Sequence, residues 1–167
     1  VKSSIDGLLS ANGKVFILNP NGLLIGKEGK IQVGGFLATT AGISDEAFLK
    51  GGSKFHFNIA GNPGAAVENQ GQISVADAGI AVLVAPTVRN NGVIQGKLAR
   101  VQMAAGDIFG IDLYGDGLIS LAVDPAFGKR ILEAANSGNI SGSDVMIQAA
   151  TATSFVSGVV NNSGVIE

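Results

Sequence analysis

The 167 residues contain no cysteine, no tryptophan and one histidine, His56. Without cysteine there is no disulfide, no thiol nucleophile and no thiolate for zinc, and a lone histidine cannot supply a His-rich metal cluster. Aromatic residues make up 5% and charged residues 14%, against roughly 25% charged in an average soluble protein. The 11 basic and 13 acidic side chains leave a net charge of −2, which excludes the basic face that a nucleic-acid partner requires. The longest apolar run, Ile80 to Ala85, stops at Pro86. It is far short of the roughly 20 residues that span a bilayer, so no membrane insertion is expected. The opening Val1-Lys-Ser-Ser-Ile does not read as a signal peptide.

What the chain has instead is 25 glycines and a 46% share of hydrophobic residues, mostly small or β-branched. A glycine-led rung recurs: Gly71-Gln-Ile-Ser-Val, Gly92-Val-Ile-Gln, Gly117-Leu-Ile-Ser-Leu, Gly138-Asn-Ile-Ser and Gly164-Val-Ile-Glu. The interval is nearly constant from one rung to the next, and a small polar turn residue stands ahead of each glycine. Weaker copies begin at Gly13 and Gly29. A period of roughly 20–30 residues built of short β runs is the signature of a solenoid.

Within a unit, Ile73 and Val75 alternate with Gln72 and Ser74, Val82 and Val84 with smaller neighbours, and Val88 precedes Asn90-Asn91. Alternation of period two sends one set inward, and three strands per repeat close a triangular coil. By the same grammar Ile94, Leu98, Val101 and Met103, then Ile119, Leu121 and Val123, then Ile140, Val145, Ile147 and Phe155 point inward. Asparagine recurs ahead of the glycine, predicting a stacked amide ladder through Asn69, Asn91 (or its neighbour Asn90), Asn136 and Asn162 (or its neighbour Asn161). Two stretches break the rhythm. The first, between Gly35 and Val67, concentrates Phe48, Phe55 and Phe57 and reads as an extra-helical hairpin excursion around residues 44–60, with Lys54-Phe-His-Phe-Asn-Ile as one strand. The second, Asp124 to Ala135, holds Pro125 and reads as containing one short helical turn. The expected fold class is all-β, a single solenoid domain over residues 1–167, and the uncapped coils at both ends predict a piece of a longer protein.

The run Ala11-Asn-Gly-Lys-Val-Phe-Ile-Leu-Asn-Pro-Asn-Gly-Leu-Leu-Ile-Gly resembles the secretion domain of two-partner secretion exoproteins, the filamentous-haemagglutinin-like adhesins of Gram-negative bacteria. The hallmark is Asn19-Pro20-Asn21-Gly22. The likeness continues through Val33-Gly-Gly-Phe-Leu-Ala-Thr-Thr-Ala-Gly-Ile-Ser, Val67-Glu-Asn-Gln-Gly-Gln-Ile, Ala104-Ala-Gly-Asp and Gly115-Asp-Gly-Leu-Ile-Ser-Leu-Ala-Val-Asp to Val160-Asn-Asn-Ser-Gly-Val-Ile. The resemblance implies a right-handed parallel β-helix with no cofactor. It implies export through the periplasm and secretion to the cell surface or medium by a TpsB-type outer-membrane β-barrel transporter, whose periplasmic domains meet the chain in extended form. Family members carry several dozen residues ahead of the segment matching Ser4-Ile-Asp-Gly, and these are absent here.

Asn19 to Gly22 has a structural reading beside the recognition one: Pro20 fixes φ at the second turn position, and Asn21-Gly22 accept positive φ. On either reading Gly22→Val harms the turn, while Asn19→Ala is expected to spare the fold. Asp112-Leu-Tyr-Gly-Asp-Gly-Leu-Ile imitates the start of a calcium loop, but Tyr114 and Val123 occupy ligand positions, which leaves a plain turn. Asp107, Asp112, Asp116 and Asp124 could serve a β-helical lyase or hydrolase, yet only Tyr114 and Arg100 accompany them. His56 on an aromatic strand reads as a half-exposed packing residue. Gly34-Gly35 and Gly51-Gly52 lack the helix and lysine of a phosphate loop. The reading is therefore non-enzymatic: a secretion and folding-initiation domain of an adhesin-like exoprotein. The alternatives are a fibre subunit that stacks through its open coils, and a carbohydrate-active or sugar-binding module.

Overall fold

The computed structural model describes residues 1–152 and 155–167 and is a parallel β-helix with three faces. Face one is a 6-stranded sheet of Ser3–Ile5, Leu23–Ile25, Ala66–Asn69, Thr87–Asn90, Arg130–Asn136 and Val156–Asn162. Face two, also 6-stranded, stacks Leu8–Ser10, Lys30–Val33, Gln72–Val75, Val93–Gln95, Asn139–Ser141 and Val165–Ile166. Face three is 5-stranded, with Lys14–Leu18, Gly35–Thr39, Ile80–Ala85, Arg100–Ala105 and Asp144–Ala149. The chain takes one strand of each face in turn, so successive coils pair in parallel.

The register explains the rungs. On face two Ile31, Ile73, Ile94 and Ile140 stand directly above one another and are fully buried, each contributing about 1.5–3 kcal/mol by burial. The glycine ahead of each strand is required by close approach. A Cβ on Gly71, Gly92, Gly138 or Gly164 would collide with the carbonyl oxygen of the rung glycine one coil earlier, and none of the four has a positive φ. Gly29 belongs to this stack, whereas Gly13 opens a face-three strand and has no atom near its missing Cβ.

Face three departs from simple alternation. Ala81, Leu83, Ala85, Val101 and Met103 point into the solenoid, while Leu37, Val82, Val84 and Ala104 point outward into a second buried cluster. Val82 and Val84 are therefore outward-facing, the reverse of the sequence reading. A strand covered on both sides is a continuous apolar run, and its phase cannot be read from hydrophobicity. Leu98, expected inward, lies at an exposed corner with φ 52°.

The cover comes from two excursions. Residues 44–60 do leave the solenoid, but as the helix Asp45–Lys50, capped by Ser44, followed by the strand Lys54–Phe57. That strand pairs antiparallel with Ile108–Asp112, which in turn pairs with Ile119–Ala122. Its ladder partner thus comes from far along the chain instead of from a local hairpin; only the bridge Gly42 to Ile59 closes the excursion at its base. The rung expected at Gly117 is likewise no coil: Val93–Gln95 pairs directly with Asn139–Ser141, and Ile119 and Leu121 belong to the outer sheet. Antiparallel hairpins share the period-two pattern of a coil, so the alternation misled. Within the sheet Phe57 stacks on its cross-strand partner Phe109 at 4.6 Å, and Phe55, edge-on to Phe16 at 6.1 Å, joins the sheet to face three. A single 3-10 turn, Pro125–Phe127, precedes the return at Arg130.

Candidate functional site: the Asn19–Gly22 clasp and the amide ladder

The turn from the first coil into the second is Asn19-Pro20-Asn21-Gly22. Asn at the first position, Pro at the second and Gly at the fourth are the preferences of a type I turn, and the Gly22 N–H donates to the Asn19 carbonyl at 2.9 Å. Gly22 has φ 103°, and a Cβ there would lie 2.6 Å from the Ala66 carbonyl oxygen. Asn21 is not at positive φ, so the left-handed conformation falls on the glycine alone. Its own carboxamide oxygen accepts from Asn62 Nδ2 at 2.6 Å, and the Asn62 N–H donates to the Pro20 carbonyl at 3.0 Å.

Asn19 is more committed than its sequence context suggests. Its Nδ2 donates to the Val1 carbonyl at 3.0 Å and to Ser3 Oγ at 2.7 Å, while its Oδ1 accepts the Asn21 N–H at 2.9 Å. The turn therefore clasps three levels: the first strand through Val1 and Ser3, the second coil through Gly22, and the entry to the third through Asn62 and Ala66. Contrary to the sequence expectation, Asn19→Ala should not spare the fold. A loss of about 1–2 kcal/mol is expected from three abandoned partners, read as a lowered urea midpoint; an unchanged midpoint would show that the clasp carries no load. Pro20 and Asn21 remain exposed and are the part of the motif open to a partner.

The amide ladder is made of Asn69, Asn90, Asn136 and Asn162. Each Nδ2 donates to the Oδ1 of the next at 2.8 Å, and the first three side chains are buried. Asn90 is the member; Asn91 lies exposed beside it and accepts a hydrogen bond from Ser137 Oγ. In a tandem Asn-Asn the inward residue is set by register, here Asn69 opposite Asn90 opposite Asn136, which the residue types do not reveal. Outside the same face runs a row of charges: Lys2 to Glu68 at 3.0 Å, Glu68 to Arg89 at 3.3 Å and Arg89 to Glu133 at 2.9 Å. Burial pushes the Glu68 carboxyl up, but Lys2 and Arg89 outweigh it and hold it below its ordinary value. A depressed carboxylate adds stability above its unfolded value and loses it as pH falls through the folded one. Lowering the pH below about 4.3 should therefore remove this contribution, and Glu68→Gln should flatten the acid limb of stability measured by urea titration.

The four aspartates serve backbone and packing. Asp107, buried, receives a two-pronged ion pair from Arg130 and the Asp124 N–H at 2.5 Å. Asp112, Asp116 and Asp124 accept the N–H groups of Gly115, Leu118 and Ala126. His56 is exposed on the outer sheet beside Gly110, at the rim of an open cleft of about 320 Å³ shared with Lys54, Asp112, Asp116 and Ser120. Among the described residues no three His, Cys, Asp or Glu side chains stand where they could hold a metal ion. Neither the clasp partners Ser3 and Asn62 nor the Asp107–Arg130 pair was legible beforehand. A lone aspartate following Ala104-Ala105-Gly106 was the one available signal.

A family model, the TPS secretion domain, matches residues 1–167. The chain belongs to that family. The HMW1 secretion domain from Haemophilus influenzae superposes with a TM-score of 0.78 and 30% sequence identity, covering 97% of this chain and 41% of that one. A heme/hemopexin-binding protein of Haemophilus influenzae strain Rd is 31% identical over 154 residues, which are 88% of this chain and 16% of that protein. A second heme/hemopexin-binding protein of the same species is 55% identical over 38 residues, 23% of this chain and 4% of that protein. The chain thus spans a small part of the curated relatives it matches. It is the secretion domain of a two-partner secretion exoprotein. The family in general is exported from Gram-negative cells by a TpsB outer-membrane transporter.

Proposed function

We propose that this domain is the export address and the folding start of a longer, surface-associated exoprotein. The transporter's periplasmic domains take it in extended form, and it folds outside the cell. The observation that carries the reading is the family match across the whole chain together with a solenoid in which every coil presents an open strand edge to the next. Such an edge templates the following coil, so folding can advance without an energy source once the first coils exist. The clasp supports the folding half of the proposal, because Asn19 and Gly22 bond to the first strand while Pro20 and Asn21 bond to Asn62 at the entry to the third coil. The remainder of the exoprotein, beyond this domain, carries the adhesion or binding activity.

Binding of the isolated transporter periplasmic domains to the chain, unfolded in urea and rapidly diluted or fully folded, tests the extended-form reading. Capture of the unfolded chain and at least tenfold weaker capture of the folded one is expected. Equal binding to both would overturn it. Pro20→Ala, which keeps every hydrogen bond of the clasp, should cost no more than about 1 kcal/mol through a looser unfolded chain, yet it should weaken capture of the unfolded chain several-fold if the ring is read directly.

A further inference from the structure

Spacing along the chain sorts the coils into three local pairs. On face two Leu9 pairs with Ile31, Ile73 with Ile94 and Ile140 with Ile166, each partner following one uninterrupted coil later. The amide ladder gives the same division in numbers: Asn69 and Asn90 are 21 residues apart and Asn136 and Asn162 are 26 apart, but Asn90 and Asn136 are separated by 46. The second excursion fills that gap, and the first excursion opens a similar one between Ile31 and Ile73. The outer antiparallel sheet spans more still. Phe55 faces Ile111, and the whole of the third and fourth coils, Ala66 to Ala105, lies between them.

Loop-closure entropy disfavours that pairing until something else brings its ends together. The third and fourth coils do so. The Thr40 N–H donates to the Val84 carbonyl at 3.3 Å and so fixes the root of the first excursion to the third coil, and Gly42 and Ile59 exchange two hydrogen bonds at its base, 2.7 and 3.1 Å. Gly106 leaves the end of face three with its N–H on the Ala85 carbonyl at 3.0 Å. Both roots of the sheet are then held beside the same face. Up to that point Phe16, Leu37, Val82, Val84 and Ala104 form an uncovered apolar surface, an aggregation hazard for a bare sheet. The last connection is the Asp107–Arg130 pair. Asp107 stands at the root of the second excursion and Arg130 opens the first strand of the fifth coil, so the bond cannot form before the chain returns to the solenoid.

We propose that the outer sheet is a strap that closes last. The third and fourth coils assemble first with their outer apolar surface bare, Lys54–Phe57 and Ile108–Ala122 then fold over it, and Asp107 with Arg130 latches the strap. This order of folding goes beyond the export reading and stands whether or not the transporter acts as proposed.

Pulse-labelled amide hydrogen exchange during refolding of the whole chain tests it. Amides of Gln72–Val75, Val93–Gln95 and Arg100–Ala105 should gain protection in an earlier phase than those of Lys54–Phe57 and Ile108–Asp112. A hydrophobic dye should brighten and then dim between the two phases. Protection of both groups in one phase, or of the strap first, would overturn the proposal. Phe109→Ala supplies an independent reading, since contacts made after the transition state alter unfolding alone. Unfolding should accelerate about a hundredfold or more while coil refolding stays within about threefold. If Phe109→Ala does not fold, Phe109→Leu gives the same partition at smaller amplitude. A loss shared equally between the two rates contradicts a late strap.

Discussion

Asp107→Ala is expected to cost about 3–5 kcal/mol of folding stability, because it leaves Arg130 as an uncompensated charge in a buried site. Arg130 has 11% of its side chain exposed and Asp107 none, and the guanidinium also lies 5.0 Å from the Phe127 ring centre. Little solvent reaches it. The cost measures the stranded partner more than the bond itself, because bringing two charges into the interior offsets much of their attraction. The double variant Asp107→Leu with Arg130→Met should therefore recover most of the loss. Urea denaturation of the two single variants and the double variant provides the cycle. If the double variant is as unstable as Asp107→Ala, the pair does more than neutralise itself and the latch has been misread.

Gly92→Ala should be nearly as damaging, by about 3 kcal/mol or more, although alanine is ordinarily the mildest of substitutions. The added methyl meets the Gly71 carbonyl and the backbone of Gln70 and Gly71. A neighbouring side chain could rotate away; a strand of the adjacent coil cannot move without breaking its ladder. Gly13→Ala is the control. Nothing lies within 4 Å of its missing Cβ, so it should change stability by no more than about 0.5 kcal/mol. Equal effects at the two positions would mean that glycine is needed for flexibility and not for close stacking.

The rungs were legible because inter-coil register forces identical residues to recur. Ile73, Ile94 and Ile140 occupy one column, and the glycine before each is the only residue small enough for the gap. The excursions were half legible. The first showed as a missing rung and clustered phenylalanines, but the second passed for a coil, because Ile119 and Leu121 alternate with Ser120 and Ala122 in the outer sheet just as a coil strand would. The pattern reports that one side is covered, not by what. Asn90 and Asn91 show the same limit at single-residue scale, since register alone chooses which amide turns inward. In the clasp, Pro20 and Gly22 announced a turn from their backbone preferences. The role of Asn19 depended on Val1 and Ser3, whose proximity no local pattern encodes.

If this domain, and not the remainder of the exoprotein, directs passage across the outer membrane, then removing it must stop export. The decisive experiment expresses the parent exoprotein with its partner transporter, with and without residues 1–167, and measures exoprotein in the medium and on the cell surface against that held in the periplasm. Deletion is predicted to abolish appearance outside the cell while the truncated protein accumulates or is degraded in the periplasm. Undiminished secretion of the deletion variant would contradict the export role.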